Sequence, residues 1–339
     1  MFSWCISKFG GADQLTLTQQ DGYRPLPGPQ EVLVKTSAHS INPIDVHVLG
    51  GYGARFLGLF RDFPLTLGRD FVGEVVTCGP KVTNFQPGDR VMGMLPLLKQ
   101  GTHSTFLVVS QENVVKKPAN LEDIEAACLP LAGMTAWCVL KTSGLKNARV
   151  LVLGGSGGVG SIAVQMLKAW GCQVVTTCSK DAVPQLEAYK LLKVIDYRSA
   201  DYNKQIEFNG PYNLIFNAAG MLGTPHLENL KKWQLSKYVT ITHSFMTNTD
   251  VYGLIFGILK SLIEIIALNI FSLATQGAVV KWGAVTPSSK GLEELAHLAS
   301  EGKIQPLIYK TFKFSEMPLA FKCQQEGHTR GKIVVAMDM

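Results

Sequence analysis

No two of the seven cysteines are spaced C-x-x-C, and their number is odd. That argues against a disulfide framework or a structural zinc lobe, and for a reducing compartment in which most thiols act as small buried apolar groups. The seven histidines contain no H-x-x-x-H pair, so a helical metal site is not expected. Charge is sparse as well: 17% of 339 residues, net +6, with Lys and Arg scattered rather than blocked. Such a distribution implies no nucleic-acid partner, although it favours an anionic ligand. Internal repeats and low-complexity linkers are missing. Residues 1–20 hold no long apolar stretch, no arginine and one lysine, so neither a secretory signal nor a typical mitochondrial presequence is expected there.

What is present is a folded, 46% hydrophobic chain with two textures. Up to about residue 120 it reads as short strands broken by Gly and Pro, among them EVLVKTSAHSI, FVGEVVTCG, DRVMGML and STFLVVS. A helical pattern follows over 121–144, with Pro130 expected to kink or split it and Gly144 near its stop. Strand candidates at 149–154, 173–178, 193–197, 213–220, 237–242 and 278–285 then alternate with helical segments at 160–170, 182–192 and 200–208. Alternation of this kind predicts an α/β fold with a parallel sheet covered on both faces. The run VYGLIFGILKSLIEIIALNIFSLA, 251–274, is interrupted by Lys260, Glu264 and Asn269, spaced like a polar helix edge. A buried or subunit-facing helix is expected first, and a membrane-surface helix is the other reading.

The stretch RVLVLGGSGGVGSIAVQMLKAWG places a glycine turn between an apolar strand and an amphipathic helix. Gly155, Gly157 and Gly160 match G-x-G-x-x-G in the context that dinucleotide binding requires; Gly154, Gly157 and Gly160 fit a wider spacing. Gly154, Ser156, Gly157, Gly158, Val159 and Gly160 are therefore the expected pyrophosphate cradle, at a helix N-terminus. After the next strand NAD binders place an acid, but Ser179 and Lys180 stand here, with Asp181 one later. A hydroxyl and an ammonium suit a 2′-phosphate, which predicts NADPH with NADH weaker; an ordinary solvated lysine is the alternative.

SINPIDVHVLGGYG, FPLTLGRDFVGEVV, FQPGDRVMG, LPLAGMTAW, VIDYRS and GHTRGKIVV, together with the glycine turn, resemble the zinc-free quinone oxidoreductase branch of the medium-chain dehydrogenase/reductase superfamily. The resemblance implies a GroES-like β domain (1–122 and 305–339) and a doubly wound Rossmann domain with a six-stranded parallel sheet (123–304). It further implies a cofactor in the interdomain cleft, frequent dimerisation, a mitochondrial setting and a ubiquinone-related acceptor. Metal-dependent relatives carry Cys where this chain has Asn42, and His-Glu where it has Arg69-Asp70, so zinc-free hydride transfer to a quinone or conjugated enone is expected. By resemblance Asn42 sits at the nicotinamide and donates through its amide; its alternative is to brace the N-P turn. Tyr52, on the GGYGA loop, is a candidate to stack on substrate or donate its hydroxyl, or else is a loop anchor. Thr135, Tyr197, Asn217, Gly220 and Lys332 match positions where relatives touch the cofactor, with a solvated strand lysine as the alternative for Lys332. The implied partners are a lipophilic quinone or enone, a second subunit, and peripheral membrane or membrane-protein contact. An enone or alkenal double-bond reductase, or a cofactor-binding interaction protein with little turnover, are the competing functions.

Overall fold

The eleven-residue strand Glu31–Ile41 organises the first of two compact units, residues 1–134 with 286–339. The structure is a computed structural model that describes residues 1–141, 145, 147–327 and 329–338; Gly144, the expected helix stop, lies outside the described residues. β-Branched and apolar residues alternate along the strand, so Val32, Val34 and Ala38 reach the core and Lys35 stays exposed. One edge pairs antiparallel with Asp70–Cys78. The other edge is shared: Phe106–Ser110 pairs with its first half and Lys332–Ala336 with its second. The tail thus returns into the first sheet, which has seven strands, and a three-stranded sheet of Thr16–Gln19, Phe2–Ile6 and Leu65–Thr66 lies beside it in the same unit. Val32, Val34, Phe71, Val75, Val91 and Val109 form one shared core.

Helix Ser289–Ser300 packs against strand Val114–Lys116, and the Asn120 amide donates to the Ala299 carbonyl at 3.0 Å. Residues 286–304, expected with the Rossmann domain, therefore cluster with the first unit, as do 123–134. Pro130 begins helix Pro130–Lys141, separate from Asp123–Ala126, because proline lacks the N–H a continuing helix would use.

Two histidines are sealed in this first unit. His39 lies with its ring 5.7 Å from His103 and 5.9 Å from Phe314. Burial pushes His39 down to about 4 and His103 well below the ordinary value. Between the ordinary 6.5 and about 4 the unfolded chain binds the proton and the native one refuses it, so stability is full above 6.5 and falls as the pH drops. The His39 share is about 3 kcal/mol across that window. Urea midpoints between neutral pH and pH 4.5 should fall accordingly, and His39→Gln should flatten the slope.

The second unit, 135–285, holds a six-stranded sheet in the order Lys193–Asp196, Gln173–Cys178, Arg149–Leu153, Leu214–Asn217, Lys237–Thr240, Val279–Trp282. Every pairing is parallel, and the order reverses between Arg149–Leu153 and Leu214–Asn217, the doubly wound pattern. Helix Gly158–Ala169 buries Ile162, Val164, Met166 and Leu167. Of the positions expected for the apolar run after residue 250, the structure excludes burial in its own unit. Gly253, at φ +81°, separates Phe245–Tyr252 from Leu254–Gln276, and the large side chains of the longer helix are exposed.

Candidate functional site

The glycine turn serves two purposes. A Cβ at Gly160 would lie 2.0 Å from the Gly154 carbonyl oxygen, and one at Gly155 2.0 Å from the Thr176 hydroxyl. Gly154 itself, at φ +84°, would press on Ala219 at 2.9 Å. These three are glycine because the chain packs against itself. At Gly157 the nearest atom to a Cβ is the Gly154 carbonyl at 3.5 Å, an ordinary contact. Gly157 caps helix Gly158–Ala169 without any side chain on the first amides, leaving open space above them. Ser156, Gly158 and Val159 are half-buried around the same turn. Uncapped N–H groups at the positive end of a twelve-residue helix fit a pyrophosphate.

The neighbouring strand ends supply cations. Ser179 is half-buried and Lys180 exposed where Gln173–Cys178 passes into the turn Lys180–Ala182. Tyr197 donates its backbone N–H to the Cys178 carbonyl at 3.0 Å, which ties the end of Lys193–Asp196 beside it. The half-exposed Tyr197 ring has the Arg198 guanidinium 5.4 Å from its centroid. Arg198 escaped the sequence reading, although a second cation right after Tyr197 was the available signal. Asn217 is fully buried, and its amide bonds hold its own turn: Nδ2 donates to the Met221 carbonyl at 2.7 Å and Oδ1 accepts from the Ala219 N–H at 3.2 Å. Gly220, at φ +73°, leaves the surface there open, and Thr135 is half-buried on Pro130–Lys141.

In the first unit the structure brings Asn42 and Lys332 together around Asp70. Asn42 ends the long strand and opens helix Pro43–Leu49. Its Nδ2 donates to Asp70 Oδ2 at 2.8 Å, while its Oδ1 accepts from the Lys332 ammonium. Lys332 Nζ also lies 3.4 Å from Asp70 Oδ2, which the Ser40 hydroxyl reaches as well. The Leu131 N–H donates to the other Asp70 oxygen. Asp45 accepts from the Asn42 N–H at 2.9 Å and the Gly68 N–H at 3.2 Å. Burial raises the Asp45 carboxyl, with the Arg69 guanidinium and the Asn42 amide pulling it back. Arg69, itself lowered to about 10 by burial, donates to the Pro96 and Lys99 carbonyls at 2.7 and 3.1 Å.

Two expectations change with this geometry. The Asn42 amide, expected to donate to an acceptor, is engaged inside the protein by Asp70 and Lys332, because both are sealed beside it. Lys332 is a buried lysine with two partners rather than a solvated strand residue. Among the described residues no three His, Cys, Asp or Glu side chains converge as metal ligands. Two cations stand by these carboxylates, the Lys332 ammonium 3.4 Å from Asp70 and the buried Arg69 guanidinium 4.0 Å from Asp45.

Tyr52 stands beyond the other end of helix Pro43–Leu49, its ring 5.5 Å from that of His47. It lines a cavity of about 260 Å³ with Phe9, Leu57, Arg61 and Phe63. Arg61, also missed from sequence, is half-buried in this wall with Nε and Nη1 unbonded, and burial lowers its pKa while Asp45 raises it.

Both halves of this arrangement have counterparts in known proteins. Residues 28–119 match the alcohol dehydrogenase GroES-like domain, and 190–335 the zinc-binding dehydrogenase family. The chain is 40% identical to the mitochondrial NAD(P)H oxidoreductase RTN4IP1 of Bos taurus, over 99% of this chain and 89% of that protein. The chain belongs to the medium-chain dehydrogenase/reductase superfamily. The mitochondrial reticulon-4-interacting protein 1 of Caenorhabditis elegans is 33% identical over 93% of this chain and 91% of its own. Among solved structures, the quinone oxidoreductase of Coxiella burnetii superposes with a TM-score of 0.81 at 27% identity, covering 99% of each chain. As a medium-chain dehydrogenase/reductase the chain is an oxidoreductase with a GroES-like and a Rossmann domain.

Proposed function

We propose that the chain is an NADPH-dependent, metal-independent reductase of quinones, ubiquinone-related in kind, working in mitochondria as its relatives' names indicate. The observation that carries the cofactor assignment is the pair of cations, Lys180 and Arg198, at the ends of adjacent strands beside the open glycine turn. Gly157 and the uncapped helix would hold the pyrophosphate; Ser179, Lys180, Tyr197 and Arg198 would hold the 2′-phosphate, where a carboxylate would repel it. Gly220 and Thr135 complete the proposed cofactor contacts, and Asn217 shapes the Gly220 turn. The bound nicotinamide supplies a hydride, and water or a neighbouring donor supplies the proton.

Asn42 and Lys332 are assigned as positioning residues. Locked on Asp70, they fix the strand end and the first turn of helix Pro43–Leu49, which leads to Tyr52. Tyr52 is the proposed catalytic residue: its ring would stack on a flat acceptor in the 260 Å³ cavity and its hydroxyl would donate to the reduced oxygen. Arg61 in the same wall adds positive potential for that developing charge.

The test is NADPH oxidation with short-chain and long-chain quinones and with an enone, using the wild type, Tyr52→Phe and Lys180→Asp. Lys180→Asp should weaken NADPH at least tenfold and NADH little. Equal loss with both cofactors removes the 2′-phosphate assignment. Tyr52→Phe should lower turnover with quinones while leaving NADPH affinity unchanged. Turnover confined to the enone would favour the double-bond reductase, and binding of NADPH without turnover on any acceptor would favour an interaction protein.

A further inference from the structure

Helix Leu254–Gln276 is amphipathic in the reverse sense. The side facing its own unit carries the small and polar residues Gly257, Ser261, Glu264, Asn269 and Ser272, with Ile265 packed on the sheet core between them. Asn269 exchanges two hydrogen bonds with the backbone of Val280, at 2.9 and 3.1 Å, and the Ser272 hydroxyl donates to the Ala278 carbonyl at 2.9 Å. Glu264 is held by Lys260 at 2.9 Å, by Asn248 at 3.0 Å and by the Ser244 hydroxyl. Outward point Ile255, Phe256, Leu259, Ile263, Ile266 and Ile270, each more than half exposed. With Leu262 and Phe271 they make an open apolar stripe on the order of 1,000 Å², beyond the few hundred a monomer ordinarily leaves.

We propose that this stripe is a membrane-docking face, seated in the headgroup–acyl boundary of an anionic lipid bilayer. The helix lies on the bilayer rather than across it, since its inner face is bonded to the strand beside it and cannot turn toward lipid. Both ends carry interfacial anchors. Tyr252 precedes the helix, half-exposed, and Trp233, 68% exposed, is tied to the helix end by its backbone N–H, which donates to the Gln276 carbonyl at 2.8 Å. Charge selects the occupant: across residues 227–283 five lysines stand against three acids, one of which, Glu264, is already held by Lys260. Lys231 and Lys232 adjoin Trp233, and Lys237 has its pKa lowered by burial and by neighbouring Lys281. A second copy would bring an equal positive charge to this face, whereas an anionic leaflet brings the opposite one. A cavity of about 470 Å³, walled by Leu222, Leu268, Phe271 and Trp282, adjoins the stripe and is mainly apolar, as entry from lipid would require.

Flotation of the full chain with phosphatidylcholine vesicles, with and without an anionic phospholipid, tests this. The wild type should float with anionic vesicles. Ile263→Gln/Ile266→Gln/Ile270→Gln should reduce partition at least tenfold, and Lys231→Gln/Lys232→Gln should lose the preference for anionic lipid. Both variants should keep the wild-type rate with a water-soluble quinone, which also separates this proposal from the catalytic reading. A wild type that floats with neither vesicle overturns it. So does a wild-type dimer that the isoleucine substitutions convert to monomer without any flotation.

Discussion

Lys332→Met is expected to lower unfolding stability by about 3–5 kcal/mol, the cost of leaving a buried carboxylate without its cation. Asp70 is fully buried, and Lys332 is 5% exposed and 3.4 Å from it. With the ammonium removed, Asp70 keeps the Asn42 amide, the Ser40 hydroxyl and the Leu131 N–H but no cation bonded to it, because the neighbouring Arg69 guanidinium is committed to the Pro96 and Lys99 carbonyls and to Asp45. Lys332→Met/Asp70→Asn should recover most of the loss, because two neutral groups of similar size need no counter-ion. Urea unfolding of the three proteins measures the coupling, and a single-variant loss below about 1 kcal/mol would sink the buried pair. The double variant keeps a fold in which to read position: if Lys332 fixes Asn42, turnover falls while NADPH affinity stays.

Gly160→Ala is expected to cost cofactor affinity about a hundredfold or more and stability about 1–3 kcal/mol. Its Cβ would fall 2.0 Å from the Gly154 carbonyl oxygen, a backbone atom that cannot rotate away. Relief therefore requires moving the helix N-terminus off the turn, and the amides proposed to hold the pyrophosphate move with it. Gly157→Ala is the contrasting case. Its Cβ meets nothing of the protein closer than 3.5 Å, so stability should change by no more than about 0.5 kcal/mol. The added methyl stands instead in the space proposed for the phosphates, and NADPH affinity should fall. Calorimetric titration beside urea unfolding distinguishes the two, and Gly157→Ala binding NADPH like the wild type would count against the proposed cradle.

Much of the fold was legible because it rests on local periodicity. The strand expected over 31–41 is Glu31–Ile41, and the expected strand at 173–178 is Gln173–Cys178. Those runs are buried on one or both faces, so apolar spacing reports them directly. The helix at 251–274 was found, with a buried or subunit-facing position expected first and a membrane-surface one as the other reading; its exposed apolar side excludes the buried position. Lys260, Glu264 and Asn269 mark one edge in the sequence as expected, yet that edge faces inward, since its polar groups find partners in Asn248, Ser244 and Val280. Periodicity gives two faces and does not say which one the rest of the chain covers.

The sites divide along the same line. The glycine turn and Lys180 were readable because a phosphate cradle is built from consecutive residues between a strand and a helix. Asn42 and Lys332, 290 positions apart, could be named from the sequence, but not their joint engagement with Asp70. Arg61 carries no local signal at all. By itself the sequence determined most of the elements and the glycine turn that suits a nucleotide, both consequences of short-range spacing and side-chain chemistry. That the tail rejoins the first domain was implied by the resemblance, not by spacing; only the tertiary structure decided which strand it pairs with, that a lysine sits against Asp70, and that the apolar face of helix Leu254–Gln276 turns outward. Pairings across hundreds of residues depend on which surfaces fit once the chain has folded, and burial, not order along the chain, sets their strength.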